Sequence, residues 1–337
     1  MRIRRRAIGL TAVAVAAALA LTACSSSGGA ENNEPKTTAA TGSGGGGAVA
    51  DTPNFTIAMV THEAPGDTFW DRIRSGAEAA AAKDNITLKY SNDPAADKQA
   101  TLIQNAVDSK VDGIATTLPT PDAMAGAVKA ATAAGIPVVA FNAGINQYKE
   151  LGALMYFGSD EDIAGQAVGK RIADLGAKHP LCVIQEAGQV QLEARCAGVL
   201  KNASGTENLQ VNGRDLPSVT STIAAKLQSD TSIDYVVTLG APIAVAAIDS
   251  VKQANSAAKV GTFDLNPDAA KAISDGSLLF AVDQQPFLQG YESVDNLWLY
   301  LTNQNILGGG MPVLTGPAFV DADNIKIILP YVQANTR

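Results

Sequence analysis

Short apolar runs of strand length alternate with longer segments that carry apolar residues at helical spacing, beginning at residue 55. The first unit shows the pattern: Phe55–Val60 is apolar, Phe69–Ala82 has helical periodicity, and a polar loop containing Pro65 and Gly66 separates them. Similar units follow to residue 158, where the alternation starts again. The pattern predicts two α/β domains, each with a parallel sheet that is covered by helices on both faces.

Two later segments add detail to this pattern. Ile163, Ala167 and Ile172 share one side of the helix predicted at 160–176, so all three are expected to face the sheet. The final segment, Pro312–Pro330, contains short apolar runs, which predict strands.

The first 52 residues lack the alternation and resemble the export segment of a bacterial lipoprotein. A basic start is followed by the apolar run Ile8–Leu21 and by small residues ahead of Cys24. The resemblance implies a signal peptide at 1–23, a palmitate-type lipid on Cys24 and a location on the outer face of the cell membrane. An ordinary secretory signal with an accidental cysteine is the alternative. Residues 24–52 are rich in Gly, Ser and Thr, which predicts a flexible tether.

Charge and motif content exclude several functions. The formal net charge of −8 becomes −12 once the four Arg of the signal segment are removed, and such an acidic surface repels nucleic acid. The chain has two His and no CxxC or HExxH motif, so no metal or cofactor is expected. It also lacks a Gly-x-Ser-x-Gly elbow and a Walker loop, which argues against an enzyme.

The predicted domains contain two cysteines, Cys182 and Cys196. In an exported protein such a pair predicts a disulfide. Two buried free thiols are the alternative.

Polar and aromatic residues recur where predicted strands end or the following helices begin. Carboxyl ends of parallel strands meet at one edge of a sheet, and ligands bind there in open α/β folds. Ten candidate ligand-binding residues share this placement: His62, Asp67, Phe69, Trp70, Thr117, Asn142, Arg195, Gly240, Asp264 and Gln284. Aromatic rings, one Arg, carboxylates and amides together suit an uncharged ligand with many hydroxyl groups.

Each candidate also has a purely structural interpretation. Phe69 and Trp70 are of types usually found in the core, Asp67 and Asp264 precede helices that they could cap, and Arg195 could form a surface ion pair. Asn142 could be a turn residue and His62 a loop hydrogen bonder. If Arg195 binds ligand instead, its replacement should weaken binding and leave the stability of the ligand-free protein nearly unchanged.

Several strand-end motifs resemble those of the ribose-type (type I, cluster B) sugar-binding proteins of bacterial ABC importers. The motifs are Asp67–Trp70, Pro137–Asn142, Gly158–Asp160 with Ala164-Gly165, Thr262–Asp264, and Asp283–Pro286 with Gly290-Tyr291. The resemblance implies two Rossmann-like lobes joined by a three-strand hinge that close on the ligand without chemistry. It places one lobe at 53–156 plus 285–313 and the other at 157–284 plus 314–337, with crossings near Tyr156, Gln284 and Leu314.

Three departures from the ribose-type pattern bear on the ligand. Asn142-Ala143 and Gly240-Ala241 replace an Asp-Arg and an Asn-Asp pair of ribose-like members, and the first loop, with His62, looks longer. The loss of charged contacts makes ribose an unsuitable ligand. The Asn-Ala-Gly variant is similar to the branch that takes pentitols and tetritols.

The resulting expectation is a lipid-anchored, monomeric receptor. It would capture a neutral monosaccharide or a C4–C6 polyol such as xylitol, threitol or erythritol, and deliver it to an ABC permease with its ATPase. The ectodomain of a signalling receptor, a regulator core and an enzyme on the same fold are the alternatives. A regulator would need a DNA-binding helix-turn-helix ahead of the first lobe, where this chain has a signal segment and a tether.

Overall fold

Two six-stranded sheets with helices on both faces form the part of the chain that the computed structural model describes, residues 49–337. The first half contains β1 (Phe55–Thr61), α1 (Phe69–Lys83), β2 (Ile86–Asn92), α2 (Ala96–Asp108), β3 (Gly113–Thr116), α3 (Pro121–Ala133), β4 (Val138–Phe141), α4 (Tyr148–Leu151) and β5 (Met155–Gly158). The second half contains α5 (Glu161–Asp174), β6 (Pro180–Ile184), α6 (Val190–Asn202), β7 (Glu207–Gln210), α7 (Leu216–Ser229), β8 (Tyr235–Thr238), α8 (Ala241–Gln253), β9 (Lys259–Phe263), α9 (Pro267–Asp275) and β10 (Phe280–Asp283). The chain ends with α10 (Pro286–Asn303), a 3₁₀ turn (Leu307–Gly310), β11 (Val313–Leu314), β12 (Ala318–Asp321) and α11 (Ile325–Gln333).

The two sheets have the same strand order. The first runs β2-β1-β3-β4-β5-β11 and the second β7-β6-β8-β9-β10-β12. Strand pairs are parallel except β10 with β12, which is antiparallel. The expected parallel sheets are therefore present, with one reversed edge strand in the second. The reversal arises because β12 enters its sheet directly from β11 of the other lobe, without a crossover helix.

The chain passes between the lobes three times. The passages lie between β5 and α5, between β10 and α10, and between β11 and β12. Each passage is short and leaves a strand at the edge where the two sheets face one another. Residues at these passages therefore lie next to the cleft and on the hinge at the same time.

Apolar strands explain the core of both lobes. All four residues of β3, β4, β5, β8 and β10 are buried, and an apolar cluster covers each face of each sheet. Helices α5 and α6 approach closely because Gly165 and Gly198 face each other's backbone, where a Cβ atom would overlap main-chain atoms. On α5 the buried apolar residues are Ala164, Val168 and Ile172, whereas Ile163 is exposed, so the prediction that Ile163 faces the sheet was wrong.

Other predictions need correction or extension near the ends of the described chain. The segment expected to form only strands contains β11 and β12, but its last part forms α11. Helix α4 was not predicted, because four residues are too few to show periodicity. No helix within residues 49–337 is long and apolar enough to span a membrane. The signal segment and Cys24 lie outside the described residues.

A disulfide joins β6 to α6 in the second lobe. Cys182 and Cys196 are fully buried, and their Cα atoms are 5.8 Å apart. The bond closes a short loop that contains the β6–α6 connection, residues 185–189. This connection forms part of the cleft wall described below.

Candidate ligand-binding site

The strand ends of both sheets enclose a small chamber in the cleft. Its volume is about 40 Å³, and eight of the ten candidate residues line it. They are His62, Asp67, Phe69, Trp70, Asn142, Arg195, Asp264 and Gln284. Of the other two, Thr117 lies behind His62 and Gly240 lines a neighbouring chamber. We call the 40 Å³ space the inner chamber and the neighbouring one the outer chamber.

Arg195 is held in the inner chamber by a carboxylate that the sequence did not indicate. The Glu161 carboxylate accepts hydrogen bonds from Arg195 Nε at 2.6 Å and Nη2 at 3.0 Å, and Arg195 Nη1 donates to the Leu239 carbonyl at 3.0 Å. Both side chains are 3% exposed. Burial lowers the pKa of Arg195, but Glu161 more than compensates and raises it. Because the pair is buried and bidentate, Arg195 is fixed at the cleft and also contributes to the fold.

Amide side chains connect the two lobes beneath the chamber. Gln284 Nε2 donates to Asp264 Oδ1 at 2.6 Å, and Gln289 Nε2 donates to the Gln284 carbonyl at 3.2 Å. Asn142 Nδ2 in turn donates to Gln289 Oε1 at 3.3 Å. All four residues are buried, so this network runs from the second lobe through the hinge to the first.

Asp264 and Asn142 occupy equivalent places in the two lobes. Asn142 follows β4 and Asp264 follows β9, and both have left-handed backbone, with φ of 63° and 67°. Such a conformation is uncommon for residues other than Gly and is concentrated at functional sites. It turns each side chain from the end of its strand into the chamber.

Burial sets the protonation of the carboxyl groups in the cleft. It raises the pKa of Asp264 to about 7, although Arg195 and the hydrogen bond from Gln284 favour the charged form. Burial also raises the pKa of Asp67 and of Glu186. Asp67 Oδ1 accepts the Phe69 N–H at 3.1 Å, so Asp67 both supports the start of α1 and lines the chamber.

The first lobe contributes an aromatic wall. Trp70 is in edge contact with Phe69 and with the His62 ring, at centroid distances of 5.2 and 4.7 Å. His62 Nδ1 shares a hydrogen bond of 2.8 Å with Thr117 Oγ1, which explains the place of Thr117 behind the chamber. Burial, assisted by the charge of Arg195, lowers the pKa of His62 to about 3, so His62 is neutral.

The sequence interpretation missed one wall of the cleft, the connection between β6 and α6. Six further lining residues were not predicted. Gln185, Glu186 and Gln189 lie in this connection, Gln191 and Leu192 lie at the start of α6, and Leu239 follows β8. Within residues 49–337, Gln185 Oε1, Glu186 Oε1 and Gln191 Oε1 are buried acceptors without a hydrogen-bond partner. Gln185 directly follows β6, so the strand-end rule that found Asp264 could have found it.

Two contacts cross the cleft in the same region. The Val190 N–H donates to the Pro119 carbonyl at 3.0 Å, and the Gln191 amide lies 3.2 Å from His62 Nε2. The start of α6 in the second lobe therefore touches the first lobe directly, and the structure shows a closed cleft.

The site has little net charge to offer a ligand. Arg195 and Glu161 neutralise each other, His62 is neutral, and burial raises the pKa of Asp67, Glu186 and Asp264. A charged ligand would lose its hydration without gaining an unpaired opposite charge. An uncharged ligand with several hydroxyl groups can donate to the free acceptors and accept from the amides.

One cluster outside the cleft has the residue types of a metal site. His179, Glu207 and Asp230 place potential ligand atoms within 4.8 Å of one another. Lys226 Nζ lies 2.7 Å from Glu207 and 3.5 Å from Asp230 and already forms ion pairs with both carboxylates. We therefore assign this cluster to surface ion pairing.

Comparison with known proteins identifies the family. A family profile described as a periplasmic binding protein domain matches residues 57–305. The chain belongs to this family. The predicted α/β fold with two lobes and the resemblance to type I sugar-binding proteins are thus confirmed.

Individual relatives agree with this assignment. One is a carbohydrate transporter from Acidothermus cellulolyticus 11B, whose crystal structure was solved in complex with myo-inositol. Its sequence is 60% identical to this chain, and the structures superpose with a TM-score of 0.83 over 85% of this chain and 100% of that one. The xylose/arabinose-binding protein XylF of Sulfolobus acidocaldarius is 25% identical over 85% of this chain and 75% of its own length. A solute-binding protein from Burkholderia graminis C4D1M in complex with D-arabinose, 22% identical, shares the fold with a TM-score of 0.73 over 80% of this chain and 96% of that one.

Proposed function

We propose that the protein is the solute-binding receptor of an ABC importer and captures an uncharged cyclic polyol of the myo-inositol type between its lobes. The proposal keeps the sugar or polyol class that the sequence favoured but moves from acyclic polyols to a ring. It is supported by the 60% identity to a transporter protein solved with myo-inositol. The family consists of binding proteins, and no covalent chemistry is involved.

The observation that carries the proposal is the neutral, hydrogen-bonding chamber at the meeting edge of the sheets. Amides and carboxyls from both lobes surround it, with Asn142 on one side and Asp264 on the other. The Trp70 ring supplies an apolar surface for the C–H face of a ring. A ligand that bonds to both lobes stabilises the closed form and so couples binding to hinge motion.

Delivery requires a place at the membrane and a permease. We propose that Cys24 carries a lipid and that residues 25–52 tether the receptor to the outer face of the cell membrane. The basic start, the apolar run and the small residues ahead of Cys24 support this. In a bacterial host, the wild-type chain should fractionate with membranes and Cys24→Ala should not. Equal membrane association of both proteins would refute the lipid anchor.

Titration calorimetry and thermal unfolding test the ligand. Saturation at a hundred times Kd should stabilise the protein by about 2.7 kcal/mol, a rise in Tm of roughly 5–10 °C at about 2–4 °C per kcal/mol. We expect this for myo-inositol, with weaker effects for xylitol, erythritol and ribose. Asp264→Asn should weaken binding about tenfold or more, because it replaces a hydrogen-bonding carboxyl oxygen of the chamber with an amide NH₂ group. The exposed Asp268→Asn is the matched control and should change nothing.

Two results would count against the proposal. A rise in Tm with an acyclic polyol or an aldose but none with myo-inositol would reject a cyclic polyol of the myo-inositol type as the ligand. No response to any polyol or sugar would reject the receptor role itself.

A further inference from the structure

The outer chamber directly adjoins the inner one and is larger. Its volume is about 180 Å³, against about 40 Å³ for the inner chamber. Five residues line both spaces: Asp67, Phe69, Gln185, Glu186 and Asp264. The two chambers therefore adjoin one another along a boundary formed by these five residues.

The volumes indicate that a six-membered ring lies across this boundary. An engineered protein cavity of about 150 Å³ accommodates a benzene ring, so the inner chamber alone is too small for a cyclic polyol. One edge of the ring can occupy the inner chamber, among Arg195, Asn142 and Gln284, while the opposite edge extends into the outer chamber. The ring hydroxyls at the boundary then lie beside the side chains of Gln185 and Glu186, which line both chambers.

The wall of the outer chamber beyond the boundary is mostly apolar. The first lobe contributes Pro65 and the second contributes Leu216, Ile243 and Leu265. The polar side chains there are Thr68 and Arg214, and the half-exposed Arg214 lies 3.8 Å from Glu186. Hydroxyl groups on the outward edge of the ring would therefore face mostly carbon atoms, which offer them few hydrogen bonds.

We propose that the outer chamber is a subsite for an apolar O-substituent, and that the protein takes O-alkylated cyclic polyols such as inositol methyl ethers. This inference rests on the proposed function, because it places one edge of a polyol ring in the inner chamber. A methyl group on the outward oxygen would bury its surface against Leu216 and Pro65.

The test compares myo-inositol with its mono-O-methyl regioisomers by titration calorimetry. Most regioisomers place the methyl group against the polar inner wall and should bind at least thirtyfold more weakly than the parent. At least one should place it in the outer chamber and bind within threefold of the parent or more tightly.

A variant that fills the outer chamber supplies the second measurement. Leu216 is 40% exposed at the start of α7, so Leu216→Trp can enlarge the side chain without disturbing the core. It should weaken binding of the retained methyl ether at least tenfold more than it weakens binding of myo-inositol, because the methyl group reaches further into the outer chamber than the ring does. The matched control is Leu200→Trp on α6, which is 49% exposed and lines neither chamber, and it should alter neither affinity.

The outcomes separate this inference from the proposed function. If myo-inositol binds and every methyl ether is at least thirtyfold weaker, the subsite is overturned and the receptor role stands. The subsite is also overturned if Leu216→Trp leaves the affinity for the retained ether unchanged. If myo-inositol itself does not bind, the proposed ligand class fails and the subsite fails with it.

Discussion

Replacing Arg195 by Ala should destabilise the ligand-free protein severely as well as weaken binding. The sequence led us to expect little effect on stability, but the structure shows a bidentate pair with Glu161 in which both side chains are 3% exposed. Removing the guanidinium leaves a buried carboxylate without a partner, which costs about 3–5 kcal/mol. At about 2–4 °C per kcal/mol for a chain of this order of size, the Tm should fall by roughly 6–20 °C.

Thermal unfolding of ligand-free protein at pH 7.5 measures this effect. Lys201→Ala is the matched control on the same helix, because Lys201 pairs with Asp162 at the exposed surface, and it should lower the Tm by less than about 4 °C. The double variant Glu161→Leu/Arg195→Met should recover most of the stability, since an apolar pair leaves no buried charge. A fall of less than about 4 °C for Arg195→Ala, or no recovery in the double variant, would show that the buried pair does not act as described.

Three further predictions concern the same cleft. Trp70 lines the inner chamber and Trp298 lies outside it. A ligand-induced change in tryptophan fluorescence should therefore disappear in Trp70→Phe and persist in Trp298→Phe. The opposite result would show that Trp70 is not part of the binding site. Burial raises the pKa of Asp264 to about 7 from an ordinary value of 3.8. Between these two pH values the native state binds more protons than the unfolded state. The free energy of unfolding therefore falls as the pH rises from 3.8 to about 7. The difference in Tm between the wild type and Asp264→Asn should therefore decrease from pH 4.5 to 7.5. The lowered pKa of His62 has the opposite effect on stability, but it is present in both proteins and does not affect this difference. A constant difference would contradict the raised pKa of Asp264. Cys182 and Cys196 should resist alkylation in the native protein, and their reduction should cost about 3 kcal/mol for a loop of this length; prompt labelling without reductant would rule out the bond.

The placement of polar residues just after predicted strands located much of the candidate site, because the ends of strands can be recognised from the local sequence alone. Asn142, Asp264 and Gln284 each directly follow a strand, and Asp67 lies in the loop that follows β1. Parallel strands bring such positions to one edge of the sheet. Glu161 lies soon after β5, but this pattern cannot show that it pairs with Arg195, which lies 34 residues further along the chain. Only the close approach of α5 and α6 at Gly165 and Gly198 brings the two side chains together.

The sequence alone determined the alternation of strands and helices, the division into two lobes and the chemistry available at the strand ends, because these follow from local periodicity and from the geometry of parallel sheets. Tertiary structure decided which polar groups pair, which acceptors remain free and how far the inner chamber extends. It also decided the direction of β12 and the helical form of α11, because apolar runs of this length suit either a strand or a helix until packing selects one. Pairing and cavity shape depend on contacts between distant segments, and no local pattern encodes those distances.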